Sequence, residues 1–256
     1  MMPPTITDLE NIAHRAGKII YDGYNKQHSI DAKGMFDVVT EIDHQSEAIT
    51  IEMIHNKFPD DRIITEESGI LGSDVSRTWY LDPLDGTINY AHNLPYFGFS
   101  LAYEENGILQ LSVVYDPLRE ELFSAEHGRG AWLNGEFIRV NDQFELSKCL
   151  VVNEFSHNRD IWDRNMKGIQ YFVQHTQGIR HPGSCVLDLC YVACGRYDGF
   201  WVYSSNSWDL AAGALIAMEA GGTITNVQGD DGFLYNECSI IAANHELHDR
   251  MLTVLK

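Results

Sequence analysis

The stretch Trp79-Tyr80-Leu81-Asp82-Pro83-Leu84-Asp85-Gly86-Thr87-Ile88-Asn89-Tyr90 places two carboxylates at the end of an apolar run. Its first residues, 79–81, predict a short buried strand with Asp82 at the exit. Pro83 favours an extended chain there, because its ring fixes its own φ and restricts the residue before it. We therefore expect Asp82 and Asp85 to lie close together just beyond this strand.

The residues that follow favour an anion site. Gly86 permits a sharp turn, and Thr87 is predicted to cap a short helix at residues 88–92. A helix N-terminus offers free N–H groups to an anion, and clustered carboxylates bind hard cations such as Mg²⁺. The pattern predicts a site for a divalent cation and a phosphate. An ordinary turn is the alternative, since Asp and Gly are common turn residues.

Two other acidic stretches share this design. A predicted strand at residues 62–65 leads directly into Glu66-Glu67-Ser68-Gly69, and Ser207-Trp208-Asp209 begins a predicted helix. Each alone has a purely structural explanation, because glutamates usually lie in solvent and an aspartate in a first helical turn pairs with the helix dipole. Their combination with the central stretch favours a metal site.

The net charge of the chain limits the kinds of molecule that it can bind. The chain has 256 residues and a net charge of −19, which argues against nucleic acid or an anionic membrane as a partner. The same charge should repel a phosphorylated substrate, unless bound divalent cations reverse the sign locally.

Targeting signals and cysteine usage indicate the compartment. We find no signal-peptide pattern and no apolar run long enough to span a bilayer. The five cysteines contain no C-x-x-C pair, which argues against a zinc site or a redox pair. We therefore expect a cytoplasmic protein with buried, reduced thiols.

Apolar periodicity and turn residues predict a layered α+β fold. Thr7 and Glu10 are predicted to form the capping box of a first helix that Gly23 ends, and Asn106-Gly107 predicts a hairpin turn. Further helices are predicted at residues 41–58, 88–92, 159–174, 185–194, 207–219 and 246–255. Strands are predicted at residues 38–40, 62–65, 79–81, 97–103, 108–115, 121–125, 150–154, 178–181, 197–203, 223–226 and 239–242. We expect one domain over residues 1–256, with an antiparallel sheet in an α+β half at 1–145 and an α/β half at 146–256.

The three acidic stretches closely resemble the motifs of the inositol monophosphatase family, which belongs to the magnesium-dependent, lithium-sensitive sugar-phosphate phosphatases. The resemblance rests on Glu66-Glu67-Ser68, Asp82-Pro83-Leu84-Asp85-Gly86-Thr87 and Trp208-Asp209-Leu210-Ala211-Ala212-Gly213. Further matches are residues 37–43, 128–135 and 219–222, so the motifs run in family order over nearly the whole chain. The resemblance implies a layered α-β-α-β-α sandwich, a homodimer, and hydrolysis of a small-molecule phosphate monoester.

The resemblance also implies a role for each matching residue. The metal ligands of two or three Mg²⁺ ions would be Glu66, Asp82, the main-chain carbonyl of Leu84, Asp85 and Asp209. The groups that position the attacking water would be Glu66, Thr87 and Asp43. The substrate contacts would be Asp85, Gly86, Thr87, Gly183, Ser184, Cys185, Val202 and Asp209. Mg²⁺ suits this reaction because it neutralises phosphoryl oxygens and activates bound water.

Val202 departs from the family pattern. Inositol-phosphate enzymes of the family typically carry a glutamate seven residues before the aspartate of the Trp-Asp motif, and that glutamate binds sugar hydroxyls. Val202 occupies this position and cannot accept a hydrogen bond, unless a neighbour supplies the contact. The basic residue often found before Asp37 aligns only with a shift, at Lys33. The catalytic set is therefore expected to be intact and the sugar contact altered.

Two other functions and several substrates stay open. A haloacid dehalogenase would need Asp-x-Asp-Gly-Thr, whereas this chain has one more residue between its aspartates. A metal-dependent regulatory dimer without activity is the second alternative. Inositol monophosphate is the leading substrate by resemblance, and relatives hydrolyse histidinol phosphate, fructose 1,6-bisphosphate, NADP and 3′-phosphoadenosine 5′-phosphate.

Overall fold

A computed structural model describes residues 3–26, 29–32, 38–155, 159–234 and 238–256. The interpretations that involve Lys33 and Asp37 lie outside these residues. Within the described part of the chain, every helix is too short or too polar to cross a bilayer.

The helices follow the predicted periodicity closely. They are α1 (Ile6–Gly23), α2 (Glu41–Lys57), α3 (Thr87–Ala91), α4 (Trp162–His175), α5 (Cys185–Ala193), α6 (Ser207–Glu219) and α7 (His245–Leu255). The predicted capping box of α1 is wrong, because Thr5 and Asp8 form it instead of Thr7 and Glu10. The Thr5 hydroxyl accepts the Asp8 N–H and the Asp8 carboxylate accepts the Thr5 N–H, so the same type of motif lies two residues earlier in the chain.

In the described residues the strands form two main sheets and one small antiparallel pair. They are β1 (Ile30–Ala32), β2 (Val38–Thr40), β3 (Asp61–Thr65), β4 (Gly69–Leu71), β5 (Asp74–Asp85), β6 (Gly98–Glu105), β7 (Ile108–Asp116), β8 (Glu121–Glu126), β9 (Gly130–Leu133), β10 (Glu136–Phe137), β11 (Leu150–Asn153), β12 (Gly178–Arg180), β13 (Gly199–Val202), β14 (Thr223–Thr225) and β15 (Ile240–Ala243). The large sheet has the order β10-β9-β8-β7-β6-β5-β3-β4 and the smaller sheet β12-β11-β13-β15-β14, while β1 pairs with β2.

Four strands were not predicted, and one is longer than predicted. β1, β4, β9 and β10 are short, and β5 begins five residues before the predicted start at Trp79. The predicted antiparallel series β6-β7-β8 is confirmed, with Asn106 and Gly107 both at positive φ in the hairpin turn.

The helices and sheets stack in alternating layers. α1 and α2 pack together on one face of the large sheet, and α5 and α6 lie between the two sheets. α4 and α7 cover the outer face of the smaller sheet. α6 is apolar around most of its circumference because it contacts both sheets, and Gly213 lets it approach Leu189 of α5 closely. The predicted α-β-α-β-α sandwich is confirmed, and its central helix layer carries Asp209.

Candidate metal and phosphate site

A β-bulge brings Asp82 and Asp85 to the same site. Asp82 pairs with Ser100 and Asp85 with Gly98, so three steps along β5 face only two steps along β6. In a regular strand, residues three apart point to opposite faces, and one extra residue reverses that alternation. Pro83 suits the bulge because it has no N–H to leave unpaired. Asp82 therefore lies within a longer strand, and the predicted strand exit is a bulge.

Three aspartate side chains converge at this bulge. Asp82, Asp85 and Asp209 each place one carboxylate oxygen within 4.8 Å of the other two. Asp82 is only 2% exposed, whereas Asp85 and Asp209 are half-buried. Asp209 lies in the first turn of α6, where its Oδ2 accepts hydrogen bonds from the Ser205 hydroxyl at 2.6 Å and the Asn206 N–H at 2.9 Å. Asp209 therefore caps α6 and joins the cluster as well.

The cluster is electrostatically unfavourable when it holds no cation. Burial, followed by the charges of Glu66, Asp85 and Asp209, raises the pKa of Asp82 well above its ordinary value. Burial and the charge of Asp209 do the same to the pKa of Asp85. Burial also raises the pKa of Asp209, although its hydrogen bonds oppose the shift. A bound divalent cation would remove this repulsion.

The turn before α5 holds Asp85 in place. Asp85 Oδ2 accepts hydrogen bonds from the Ser184 hydroxyl and from the Val186 N–H, the latter at 3.0 Å. Gly183 has a φ of +92°, and a Cβ there would meet the Asn89 amide nitrogen at 3.0 Å. The predicted Gly183-Ser184-Cys185 turn thus lies directly against the carboxylate cluster.

Thr87 lies at the site but does not cap α3. The N-cap is Gly86, with a φ of +88°, and a Cβ there would meet the carbonyl oxygens of Tyr96 and Gly183 at 3.0 and 3.1 Å. The predicted cap is wrong because this left-handed, crowded position requires glycine. Thr87 Oγ1 lies instead 3.0 Å from Asp43 Oδ1 and 2.9 Å from the carbonyl oxygen of Leu84.

Asp43 supports Thr87 from the start of α2. Its Oδ2 accepts hydrogen bonds from the N–H of Thr40 at 3.0 Å and the hydroxyl of Thr40 at 2.5 Å, which leaves Oδ1 for Thr87. Burial raises the pKa of Asp43 despite these hydrogen bonds. Asp43 therefore completes the capping box of α2 and fixes the Thr87 hydroxyl.

Glu66 reaches the cluster from the neighbouring strand. β3 runs parallel to β5 with Thr65 opposite Leu81, so Glu66 follows β3 beside Asp82. Glu66 also lines the same cavity as the three aspartates. The predicted approach of the Glu66 stretch to the central stretch therefore arises from strand pairing.

Glu47 of α2 fixes the loop that carries Glu66. Its buried Oε1 accepts hydrogen bonds from the Thr65 hydroxyl at 2.5 Å and from the N–H groups of Glu67 and Ser68 at 3.2 and 3.1 Å. The Ser68 hydroxyl donates to Oε2 at 2.7 Å. Sequence reasoning missed Glu47. Nothing in the sequence of α2 indicates that this carboxylate holds a loop whose first contact, Thr65, lies 18 residues away.

The site opens into a cavity of about 650 Å³. The predicted site residues that line it are Glu66, Asp82, Leu84, Asp85, Gly86, Thr87, Gly183, Cys185, Val202 and Asp209. Ser184 and Asp43 lie behind this lining and act through Asp85 and Thr87. Burial raises the pKa of the Cys185 thiol well above its ordinary value, so this residue is a neutral wall group.

Val202 contributes little surface to the cavity. It touches the cavity, is only 1% exposed, and packs in the core between the two sheets. Its neighbours Trp201 and Tyr203 point to the opposite face of β13 and are buried against α4 and α7. The position that carries a glutamate in inositol-phosphate enzymes is therefore apolar and almost closed.

Two further residues connect the halves of the site, and the sequence analysis missed both. The Asn89 amide of α3 donates to the carbonyl oxygens of Tyr96 at 2.8 Å and Pro182 at 2.7 Å. Glu154 follows β11, lines the cavity, and accepts the Gly183 N–H at 2.7 Å. The only signal for Glu154 was its position as the last residue of a predicted strand, and that position does not indicate which group it contacts.

The donor set fits Mg²⁺. The converging groups are all oxygens, which hard cations prefer, and their raised pKa values reflect burial and the repulsion between neighbouring carboxylates. Among the described residues that line the cavity there is neither a lysine nor an arginine to balance this charge. A divalent cation is the group that would neutralise the cluster.

Comparisons with known proteins agree with this geometry. The model of the inositol monophosphatase family matches residues 3–256. Nus factor SuhB of Pseudomonas aeruginosa is 36% identical over 100% of this chain and 97% of that protein. Inositol-1-monophosphatase of Synechocystis sp. is 40% identical over 94% of this chain and 84% of that protein.

A solved structure extends the agreement to the whole fold. The crystal structure of extragenic suppressor protein suhB from Bartonella henselae superposes with a TM-score of 0.94 at 32% identity, over 98% of this chain and 97% of that one. The family match spans all three acidic stretches and the helices between them. The chain therefore belongs to the inositol monophosphatase family.

Proposed function

We propose that this protein is a Mg²⁺-dependent phosphatase that hydrolyses a small phosphate monoester, with inositol monophosphate among its substrates. The observation that carries the proposal is the convergence of the Asp82, Asp85 and Asp209 carboxylates beside Glu66 in one cavity. Glu66, the three aspartates and the carbonyl oxygen of Leu84 would hold the metal ions. Bound Mg²⁺ would neutralise the phosphoryl oxygens and lower the pKa of a water molecule.

The other residues of the site orient the reactants. The Thr87 hydroxyl has one proton, and when it donates that proton to Asp43 its lone pairs can accept a hydrogen bond from the attacking water. Gly86 lets the start of α3 approach the phosphate closely because it has no side chain. In the reaction the water oxygen forms a new bond to phosphorus and the water loses a proton, while the ester P–O bond breaks and the leaving alkoxide takes up a proton.

The test is release of inorganic phosphate by the purified protein. We expect inositol 1-phosphate and other monoesters to be hydrolysed with Mg²⁺, and the reaction to stop when a chelator is added. Li⁺ and excess Ca²⁺ should inhibit, the latter because its larger radius and looser coordination misplace the reacting groups. Full activity in excess chelator, or no release from any monoester, would overturn the proposal.

A second candidate function comes from the relatives that are named Nus factor SuhB. It is a binding role without catalysis. The net charge of −19 favours a basic protein over nucleic acid as the partner in such a role. A variant with Asp82→Asn separates the two functions, because a pure binding role would survive the loss of phosphatase activity.

A further inference from the structure

Three ring side chains form one wall of the cavity. Phe155, Trp162 and His181, here called the aromatic wall, all line it. Phe155 and Trp162 are 38% and 40% exposed, and the His181 side chain is 47% exposed. Large aromatic residues normally bury most of their surface, so their joint exposure inside a cavity leaves ring surface available to a ligand.

Contacts between neighbouring rings and with the backbone hold the side chains of the aromatic wall in place. The Phe155 and His181 rings meet edge to face, with centroids 4.9 Å apart at 90°, and the centroids of Phe155 and Trp162 lie 6.4 Å apart at 67°. His181 Nδ1 lies 2.9 Å from the carbonyl oxygen of Asn153 and 3.0 Å from Glu154 Oε2. These contacts hold the imidazole ring in one orientation.

The aromatic wall lies next to the phosphate end of the cavity. Glu154 immediately precedes Phe155 and accepts the Gly183 N–H, and His181 lies two residues before Gly183. The next residue, Ser184, donates to Asp85 of the carboxylate cluster. A phosphate at the cluster would therefore have its ester group within reach of the wall.

At the position of Val202 the cavity lacks an acceptor for a sugar hydroxyl. Val202 is apolar and nearly closed off, and the side chains of Ser205 and Asn206 already bond to Asp209. Ser204 and Glu154 remain as polar lining groups, and the aromatic wall supplies ring surface beside Glu154. A planar ring would gain contact with the wall, whereas a ring covered with hydroxyl groups would lose hydrogen bonds to water where it faces the wall.

We propose that the preferred substrate carries a planar aromatic or heteroaromatic ring on its leaving alcohol, and that the aromatic wall binds this ring. The inference rests on the proposed phosphatase function and specifies the substrate class of the same site. Inositol monophosphate would still be cleaved, but at lower kcat/KM than an ester whose ring packs on Phe155.

Two matched esters test the inference. Benzyl phosphate and cyclohexylmethyl phosphate have similar size and are both esters of primary alcohols, so the main difference is the planarity of the ring. We expect roughly three- to tenfold higher kcat/KM for the benzyl ester. Phe155→Leu and Trp162→Leu should each bring the ratio of kcat/KM for the benzyl ester to that for the cyclohexylmethyl ester close to one. Phe137→Leu is the control, because Phe137 is an exposed aromatic residue that does not line the cavity.

A binding measurement separates this inference from the proposed function. Benzylphosphonate and cyclohexylmethylphosphonate cannot be hydrolysed, and calorimetry with Mg²⁺ should give tighter binding of the benzyl compound. Equal kcat/KM for the two esters with equal phosphonate affinities would overturn the aromatic-wall proposal and leave the phosphatase proposal standing. No phosphate release from either ester or from inositol 1-phosphate, together with tighter benzylphosphonate binding, would overturn the phosphatase proposal while supporting selection of a ring by the wall.

Discussion

At the scale of single residues, Asp82 is expected to support catalysis and to destabilise the metal-free protein. It is the buried member of the cluster, and the raised pKa indicates that its charge is unfavourable in the metal-free protein. The carboxylate that the proposed reaction needs therefore lowers the stability of the metal-free protein. Such conflicts are typical of functional sites.

Asp82→Asn should lower kcat/KM by at least about a hundredfold, because it removes a charged ligand from the proposed metal site. The same change should raise the melting temperature of the metal-free protein by about 2–4 °C for each kcal/mol of repulsion relieved. Kinetics with saturating Mg²⁺ and calorimetry in chelator measure the two effects. Asp142→Asn, at an exposed position, is the control. Wild-type turnover by Asp82→Asn would contradict the assignment.

Val202→Glu tests whether the altered sugar contact limits inositol esters. A carboxylate that reaches the cavity should accept hydroxyl hydrogen bonds and raise kcat/KM for inositol 1-phosphate about tenfold, with no gain on a nucleotide 3′-phosphate. The melting temperature should fall, because the position is almost fully buried and a charge there is costly. Val202→Met has similar length without an acceptor and serves as the control. An equal change on both substrates would argue against this role.

At the scale of elements, α2 supports the site at two places. Its first turn supplies Asp43, and one turn later Glu47 holds the loop between β3 and β4. The boundaries of α2 were predictable because Thr40 begins a capping box and Pro59-Asp60-Asp61 stops the helix. The support function was not predictable, because it depends on contacts that only the folded chain brings together.

Glu47→Ala should weaken the apparent Mg²⁺ affinity by about 10–100-fold, because the loop that carries Glu66 loses its anchor. The kcat at saturating Mg²⁺ should recover most of the wild-type value, since no proposed ligand is removed. Titration of activity with Mg²⁺ gives both quantities. Glu52→Ala, an exposed change on the same helix, should leave the titration curve in place. An unchanged Mg²⁺ affinity in Glu47→Ala would show that the loop needs no such anchor.

α5 carries a buried acid whose effect on stability depends on pH. Burial and the charge of Glu154 raise the pKa of Asp188 well above its ordinary value, and its Oδ1 accepts the Tyr96 hydroxyl at 2.7 Å. The unfolded chain releases this proton near pH 3.9, whereas the folded chain retains it to higher pH. The contribution of Asp188 to stability is therefore full below about pH 3.9 and is lost as pH rises through the raised pKa.

Asp188→Asn should accordingly flatten the pH dependence of unfolding. The variant cannot ionise and can still accept the Tyr96 hydroxyl, so its stability relative to wild type should increase between pH 5 and pH 8. Thermal unfolding of both proteins in chelator over that range measures the difference. A constant difference across the range would mean that Asp188 does not titrate there.

At the scale of the whole molecule, sequence reasoning found the layers and the acidic ligands but not their connections. Local patterns identified Asp82, Asp85 and Asp209, because each lies beside a turn or a cap with a recognisable composition. Asn89 and Glu154 act on backbone groups 93 and 29 residues away, and no local signal encodes such partners. The length of β5 was also underestimated, because its exposed first residues lack strand alternation.

Several expectations for the whole molecule remain predictions. The homodimer, the cytoplasmic location and the division near residue 145 rest on resemblance or on composition. Light scattering should give a mass of twice 29.0 kDa for the dimer. A mass of one chain at micromolar concentration would contradict the expected dimer.

Because of the bulge in β5, the number of residues between Asp82 and Asp85 is itself important for function. Side chains alternate along a strand, so removing Leu84 would return the pairing with β6 to a regular register and shift Asp85 and the start of α3 by one position. A substitution in this segment changes one side chain. A single-codon deletion would change the face of the sheet to which Asp85 points, and would also move the start of α3. The hairpin tip at Asn106 and Gly107 also sets a register, that of β6 and β7, but it lies open to solvent and carries no site residue. The spacing of two residues between Asp82 and Asp85 therefore cannot change in length if both carboxylates are to reach the same site.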